Sequence, residues 1–95
     1  MKIIETTQYI RTKKKILKRF ILKEDNIKKT LLLFQKNQQE PSLHYKKMNC
    51  KKDKNRYSIR VLNTQYRILM SIENNSAILN CICDHDDYDM RNKGC

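Results

Sequence analysis

The chain has 95 residues, 21 of them Lys or Arg against 10 Asp or Glu, for a formal charge of +11. A chain this short buries only about two-thirds of its unfolded surface, which allows one core and excludes a second domain, a TIM barrel or a large enclosed substrate pocket. A single Gly and a single Pro argue against collagen-like, linker-like and turn-dense all-β designs, and the aliphatic content is too high for a disordered chain.

The charge excess points to polyanionic partners. Lys and Arg placed along a phosphate backbone gain affinity by releasing condensed counterions, so nucleic acid is the leading class. The excess is uneven: +8 from Met1 to Asn37, +6 from Gln38 to Arg67, and −3 from Ile68 to Cys95. No stretch approaches the roughly 18 apolar residues of a membrane span, and Met1-Lys2-Ile3-Ile4-Glu5 lacks a secretory core. The expectation is a cytoplasmic protein without membrane contact, with Cys50, Cys81, Cys83 and Cys95 as reduced thiols. Neither an internal repeat nor a linker divides the sequence, so residues 1–95 read as one domain.

Met1 to Thr6 suits a short strand, after which Thr6 or Thr7 can cap a helix. Tyr9, Ile10, Lys13, Ile16, Leu17, Phe20 and Ile21 recur at three-to-four spacing and predict an inward stripe, with Lys14, Lys15 and Lys18 facing water. Glu24, Asp25 and Asn26 open a second helix, where the macrodipole favours negative charge. Its inward face is Ile27, Leu31 and Phe34, widened by Leu32 or Leu33, and the polar run before Pro41 ends it.

Beyond Pro41 the period changes from helical to alternating. Arg56 to Leu62 and Tyr66 to Glu73 predict a hairpin across Asn63-Thr64-Gln65, and Glu73-Asn74-Asn75-Ser76 turns into a last strand at Ala77 to Cys83. Tyr57, Ile59, Val61, Ile68, Met70 and Ile72 are expected to pack on the helices, leaving Ser58, Arg60, Arg67 and Leu69 on the opposite face. On the last strand Leu79, Cys81 and Cys83 are expected inward, with Asn80 and Asp84 beside the arginines. The fold class is α+β, with a strand and two antiparallel helices on one face of an antiparallel sheet and a short tail.

The order of elements resembles the RelE/ParE toxin superfamily. The resemblance is carried by Leu43-His44-Tyr45-Lys46-Lys47-Met48 ahead of Arg56-Tyr57-Ser58-Ile59-Arg60-Val61, then Gln65-Tyr66-Arg67-Ile68-Leu69, and the terminal His85-Asp86-Asp87-Tyr88-Asp89. The last of these is similar to the tail of HigB-like and other RelE-type messenger-RNA interferases.

Such a resemblance implies a type II toxin that cuts messenger RNA, commonly on the ribosome, and that a cognate antitoxin neutralises. The implied reaction is attack of a ribose 2′-hydroxyl on the adjacent phosphate, which needs no metal and no cofactor. By the same resemblance Arg67 stabilises the phosphate, Arg60 assists it, and His85 and Tyr88 are the acid–base pair, their division of labour left open. Lys13, Lys14, Lys18, Lys46, Lys47, Lys51, Lys52 and Lys54 then form the surface for messenger and ribosomal RNA. Ser58 departs from the pattern, standing where the RelE branch typically carries a lysine.

Two other functions compete: a gyrase poison, which some members of the superfamily are, and a non-catalytic RNA-binding module. Taken singly, Arg60 and Arg67 also read as solvated or paired with Asp84 and Glu73, and His85 as a surface residue. A zinc reading of Cys81-Ile82-Cys83-Asp84-His85 is disfavoured, because Cys-x-Cys within a strand puts both thiols on one face instead of around a turn.

Overall fold

The computed structural model describes residues 1–84. Through them the chain runs β1 (Lys2–Glu5), α1 (Thr7–Lys18), α2 (Glu24–Lys36), a 3-10 turn (Pro41–Leu43), β2 (Lys46–Lys47), β3 (Arg56–Arg60), β4 (Arg67–Glu73) and β5 (Ser76–Cys83). The five strands form one sheet in the order β1-β5-β4-β3-β2. β1 joins β5 in parallel, and the other neighbours are antiparallel. His85 and Tyr88 lie outside the described residues.

Thr6 fixes the start of α1. Its Oγ1 accepts the Tyr9 N–H at 3.1 Å, satisfying one of the donors a helix start leaves open, and donates to the Leu79 carbonyl at 2.7 Å. One turn on, Thr12 Oγ1 accepts the Ile82 N–H at 3.1 Å, so α1 pairs backbone groups of β5 beyond the reach of β1. Tyr9 and Ile16 are the buried residues of this helix. The Tyr9 hydroxyl is buried without a hydrogen-bond partner, and burial, helped by Glu5, raises its pKa and keeps it neutral.

The helix stops earlier than its apolar spacing predicts. The Phe20 N–H bonds the Leu17 carbonyl at 3.1 Å and the Ile21 N–H bonds that of Ile16 at 3.3 Å, a Schellman closure. Phe20 takes the left-handed position at φ 56° and is 93% exposed. Phe20 and the exposed Ile21 therefore leave the expected inward stripe, whose periodicity extended through a turn that had already unwound, and Ile10, within α1 itself, is exposed as well.

In α2, Glu24 and Asp25 occupy the first turn without a side-chain cap, and Ile27, Thr30 and Phe34 are buried. Leu33 widens the face, whereas Leu32 is exposed. Thr30 is fully buried because both hydrogen-bonding roles of its hydroxyl are used: it donates to the Asn26 carbonyl at 2.7 Å and accepts the Leu62 N–H at 3.0 Å. α2 is thereby tied to the end of β3.

Asn74 and Asn75, both at positive φ (49° and 60°), form the two-residue loop between β4 and β5, where the register closes on Glu73 opposite Ser76. Loops with both central residues left-handed match the twist of the strands they join. β2 was not expected; two lysines carry no alternating apolar signal, and the strand is set by backbone pairing of Lys46 with Ser58 and Lys47 with Tyr57. The edge is closed by Tyr45, stacked on Tyr57 at 5.0 Å and tilted against Phe34 at 5.5 Å.

A bulge divides β5. Leu69 lies opposite Cys81 but Met70 lies opposite Leu79, so Asn80 has no counterpart on β4. An inserted residue inverts the alternation beyond it. Ala77, Leu79 and Ile82 therefore pack on the helices with Ile59, Val61, Ile68 and Met70. Cys81 and Cys83, expected inward, join Met48 and Leu69 in a small cluster on the far face. Cys81 and Cys83 are reduced and buried, but Cys50 is disulfide-bonded, against the expectation of thiols throughout. That expectation rested on compartment alone, which does not say which sulfurs a fold brings together.

Two substitutions test these local accounts. Thr30→Val keeps the shape but strands the Leu62 N–H, and should cost about 1–3 kcal/mol in chemical denaturation. Phe20→Gly removes a left-handed penalty from a side chain that packs on nothing, and should raise stability by roughly 1 kcal/mol.

Candidate nucleic-acid interface

Helices cover one face of the sheet, and the other face holds the candidate site. Register arranges its side chains in rows. Arg60, Arg67 and Cys83 form one row across β3, β4 and β5, and Lys46, Ser58, Leu69 and Cys81 form the next. Arg56 and Ser71 follow, beside the bulged Asn80. Ser58, Arg60, Arg67, Leu69 and Asn80 share one face as expected, but Ser58 and Leu69 do not emerge on it: both are buried, Leu69 with Met48, Cys81 and Cys83.

Arg60 and Arg67 are directly opposed in the register. Like charges placed directly opposite each other repel. Arg60 has no ion-pair partner among the described residues, and its Nε is buried without a hydrogen bond. Glu73, a candidate partner from the sequence, sits at the opposite end of β4 and accepts from Asn55 Nδ2 at 3.4 Å. Asp84 follows β5 and lines, with Lys15, Arg19 and Tyr66, a depression of about 130 Å³ between the strand end and α1.

The basic residues divide into two groups. Lys46 shares the row of Ser58, while Lys47 pairs with Tyr57 and belongs to the β2 edge. Lys51, Lys52 and Lys54 are exposed on the connection from β2 to β3. Lys14 and Lys18 are exposed on α1, across the sheet from the arginines. Lys13 is partly buried and lies 3.8 Å from Glu24 and 4.0 Å from Glu5, so its charge ties α1 to α2 and β1.

Sequence reading passed over a polar chain on the same face. Asn80 Nδ2 donates to Ser71 Oγ at 3.1 Å, and Ser71 Oγ donates in a short hydrogen bond to Asp53 Oδ2. The other oxygen of Asp53 accepts the Asn55 N–H at 3.0 Å, and Arg56 Nε lies 3.6 Å from Oδ2. Burial pushes the Asp53 carboxyl upward, but the bonds from Ser71 and Asn55 and the Arg56 guanidinium outweigh it and hold its pKa below the ordinary range. Asp53 thus anchors the lysine-bearing loop to β4. Arg56 was visible in principle, since it stands two alternation steps from Arg60; the anchoring role of Asp53 was not, because its partner Ser71 is 18 residues away. Among the described residues no group of three or more His, Cys, Asp or Glu is placed to hold a metal ion.

Because the folded carboxyl titrates below its unfolded value, Asp53 contributes stability above the ordinary carboxylate range and loses it as pH falls through the folded value. Urea midpoints between about pH 5 and pH 2 should therefore fall less steeply in Asp53→Asn than in the parent, with the variant less stable at neutral pH.

No family model matches the sequence, and no curated protein does. Solved structures do match. YafQ from E. coli strain BL21(DE3) superposes with a TM-score of 0.74 at 11% identity, covering 90% of this chain and 94% of that one. A copper-bound mutant toxin from Helicobacter pylori gives 0.75 at 14%, covering 92% and 97%. The toxin–antitoxin complex RelB-RelE from Methanococcus jannaschii gives 0.55 at 18%, covering 92% and 96%. These neighbours are RelE-superfamily toxins, and the α+β architecture built above, two helices on one face of a five-stranded sheet, is the fold of that superfamily.

Proposed function

We propose that the chain is the toxin of a type II toxin–antitoxin system and that it cuts messenger RNA, in the cytoplasm and in association with the ribosome. The observation that carries this reading is the opposed pair Arg60 and Arg67, with the Arg60 Nε buried and without a hydrogen bond among the described residues. Two guanidiniums side by side on a sheet face present several N–H donors in a geometry that fits the oxygens of a phosphodiester. The shared fold with YafQ and RelE supports the same reading, and the RelB-RelE complex supports a protein antitoxin as partner.

In the proposed reaction a base removes the proton of a ribose 2′-hydroxyl, and its oxygen attacks the adjacent phosphorus. The bond from phosphorus to the 5′ oxygen breaks, and that oxygen takes up a proton, leaving a 2′,3′-cyclic phosphate and a free 5′-hydroxyl. Arg60 and Arg67 neutralise charge that grows on the equatorial oxygens, which is where a preorganised cation contributes most. His85 and Tyr88 carry the proton transfers; an unperturbed imidazole titrates near 6.5, close to working pH. Lys46 and the loop lysines 51, 52 and 54 attract the strand to this face, and Lys14 and Lys18 face ribosomal RNA from the other side.

Primer extension on messages after brief expression is the direct test. The parent should leave cut ends at defined positions, and Arg67→Ala should lower the cleavage rate about 100- to 1,000-fold, the loss typical of one transition-state donor. If Arg67→Ala and Tyr88→Phe both cut like the parent, the catalytic assignment is wrong. DNA-damage induction without cut messages would instead identify a gyrase poison.

A further inference from the structure

The arginine pair accounts for phosphate binding but leaves the lower part of the same face without a role. Two to four residues down β3 from Arg60, about 7–13 Å at a strand rise of roughly 3.3 Å per residue, lies a depression of about 220 Å³. Gln8, Arg56, Leu69, Asn80 and Cys81 line it. Drug-sized sites occupy roughly 300–1,000 Å³, so this one suits a single flat heterocycle better than a whole nucleotide.

Its construction is that of a recognition site. Leu69 and Cys81 supply an apolar floor. Asn80 owes its position to the β5 bulge, and bulges recur where a side chain must be re-aimed. Its amide is held by the bond from Nδ2 to Ser71 Oγ, and Ser71 is held in turn by the Asp53 carboxylate. One Nδ2 proton is taken by Ser71 and this bond fixes the amide plane, while the carbonyl Oδ1 remains an acceptor without a partner among the described residues, and the Gln8 carboxamide has none either. Arg56 adds a planar cation of the kind that stacks on bases.

We infer that this depression reads one nucleobase of the bound strand and selects a base that offers an exocyclic amino group to Asn80 Oδ1. The inference rests on the reading of this face as an RNA interface. Cytosine and uracil separate the idea cleanly, since they differ in their 4-amino and 4-oxo groups and in the protonation of N3. A fixed acceptor at Asn80 and an adaptable carboxamide at Gln8 match the amino donor and ring acceptor of cytosine. Uracil turns a carbonyl toward Asn80.

The test is fluorescence anisotropy with short 2′-O-methyl oligo(C) and oligo(U), which lack the attacking hydroxyl and stay intact. The parent should bind oligo(C) about 10-fold more tightly, the factor that one hydrogen bond supplies. Asn80→Ala should bring the two within about twofold, and Gln8→Ala, on an exposed first turn where folding is not at stake, should narrow the gap in the same direction. Arg60→Ala should weaken both equally. A parent that cuts RNA but binds the two strands alike, or a preference that survives in both Asn80→Ala and Gln8→Ala, overturns the base-reading site and leaves the RNA interface standing. A parent that binds neither strand and cuts no RNA overturns both.

Discussion

The single extra residue of β5 governs both faces of the sheet. Up to Leu79 the strand alternates in step with β4, and after Asn80 it alternates in the opposite sense. Ile82 can therefore enter the helix-facing core, while Cys81 and Cys83 form, with Leu69 and Met48, the apolar patch on the other side. Had the register run straight through, Ile82 would face the arginines, and the two thiols would stand where the core needs a larger side chain. The bulge also makes Asn80 the one polar residue of β5 that reaches Ser71. Core packing and the layout of the basic face are thus two results of one backbone irregularity.

Such an irregularity needs support, because a bulged strand at the side of a short partner exposes its own backbone. β1 pairs with β5 only as far as Leu79. Beyond it, α1 takes over with hydroxyls: Thr6 on the Leu79 carbonyl and Thr12 on the Ile82 N–H. Both threonines are also used within the helix, Thr6 as its cap and Thr12 as donor to the Tyr9 carbonyl. Buried backbone groups cost free energy when unpaired, and here side chains of a helix complete the ladder that a strand leaves unfinished. The first helix is therefore locked to the last strand by polar bonds as well as by Tyr9 and Ile16.

How far the sequence discloses this arrangement depends on the range of the signal. Alternation in Arg56-Tyr57-Ser58-Ile59-Arg60 is local, and it placed Arg60 and Ser58 on the open face. Asn74-Asn75 is a local turn signal as well. The bulge is not local: nothing in Ala77-Ile78-Leu79-Asn80-Cys81-Ile82-Cys83 states where one residue will be skipped, since that is decided by which side chains fit under the helices. The exposure of Phe20 has the same origin, because apolar spacing cannot register the turn that ends a helix. β2 was invisible for the opposite reason, being specified by backbone pairing and carrying only lysines. The site shows the same division. Its cations could be read from the strand pattern, whereas the chain from Asn80 through Ser71 to Asp53 joins three separate segments and exists only in the fold.

The acids of the described residues have different tasks on the two faces of the sheet. Lys13 is compensated by Glu5 and Glu24, and Lys29 by Asp25 at 3.0 Å, so the helical side spends its carboxylates on its own lysines. On the open face Asp53 could have served the same purpose for the arginines. Instead it bonds to Ser71 and Asn55 and lies beside Arg56, at the other end of β3 from Arg60. Holding a carboxylate there lets it order the lysine-bearing loop from the end of β3 away from Arg60. Opposed like charges repel, and Arg60 and Arg67 are set directly opposite each other by the register. A net charge of +11 by itself confers general attraction to polyanions; the sheet register is what gathers part of that charge in one place, by setting Arg60 opposite Arg67.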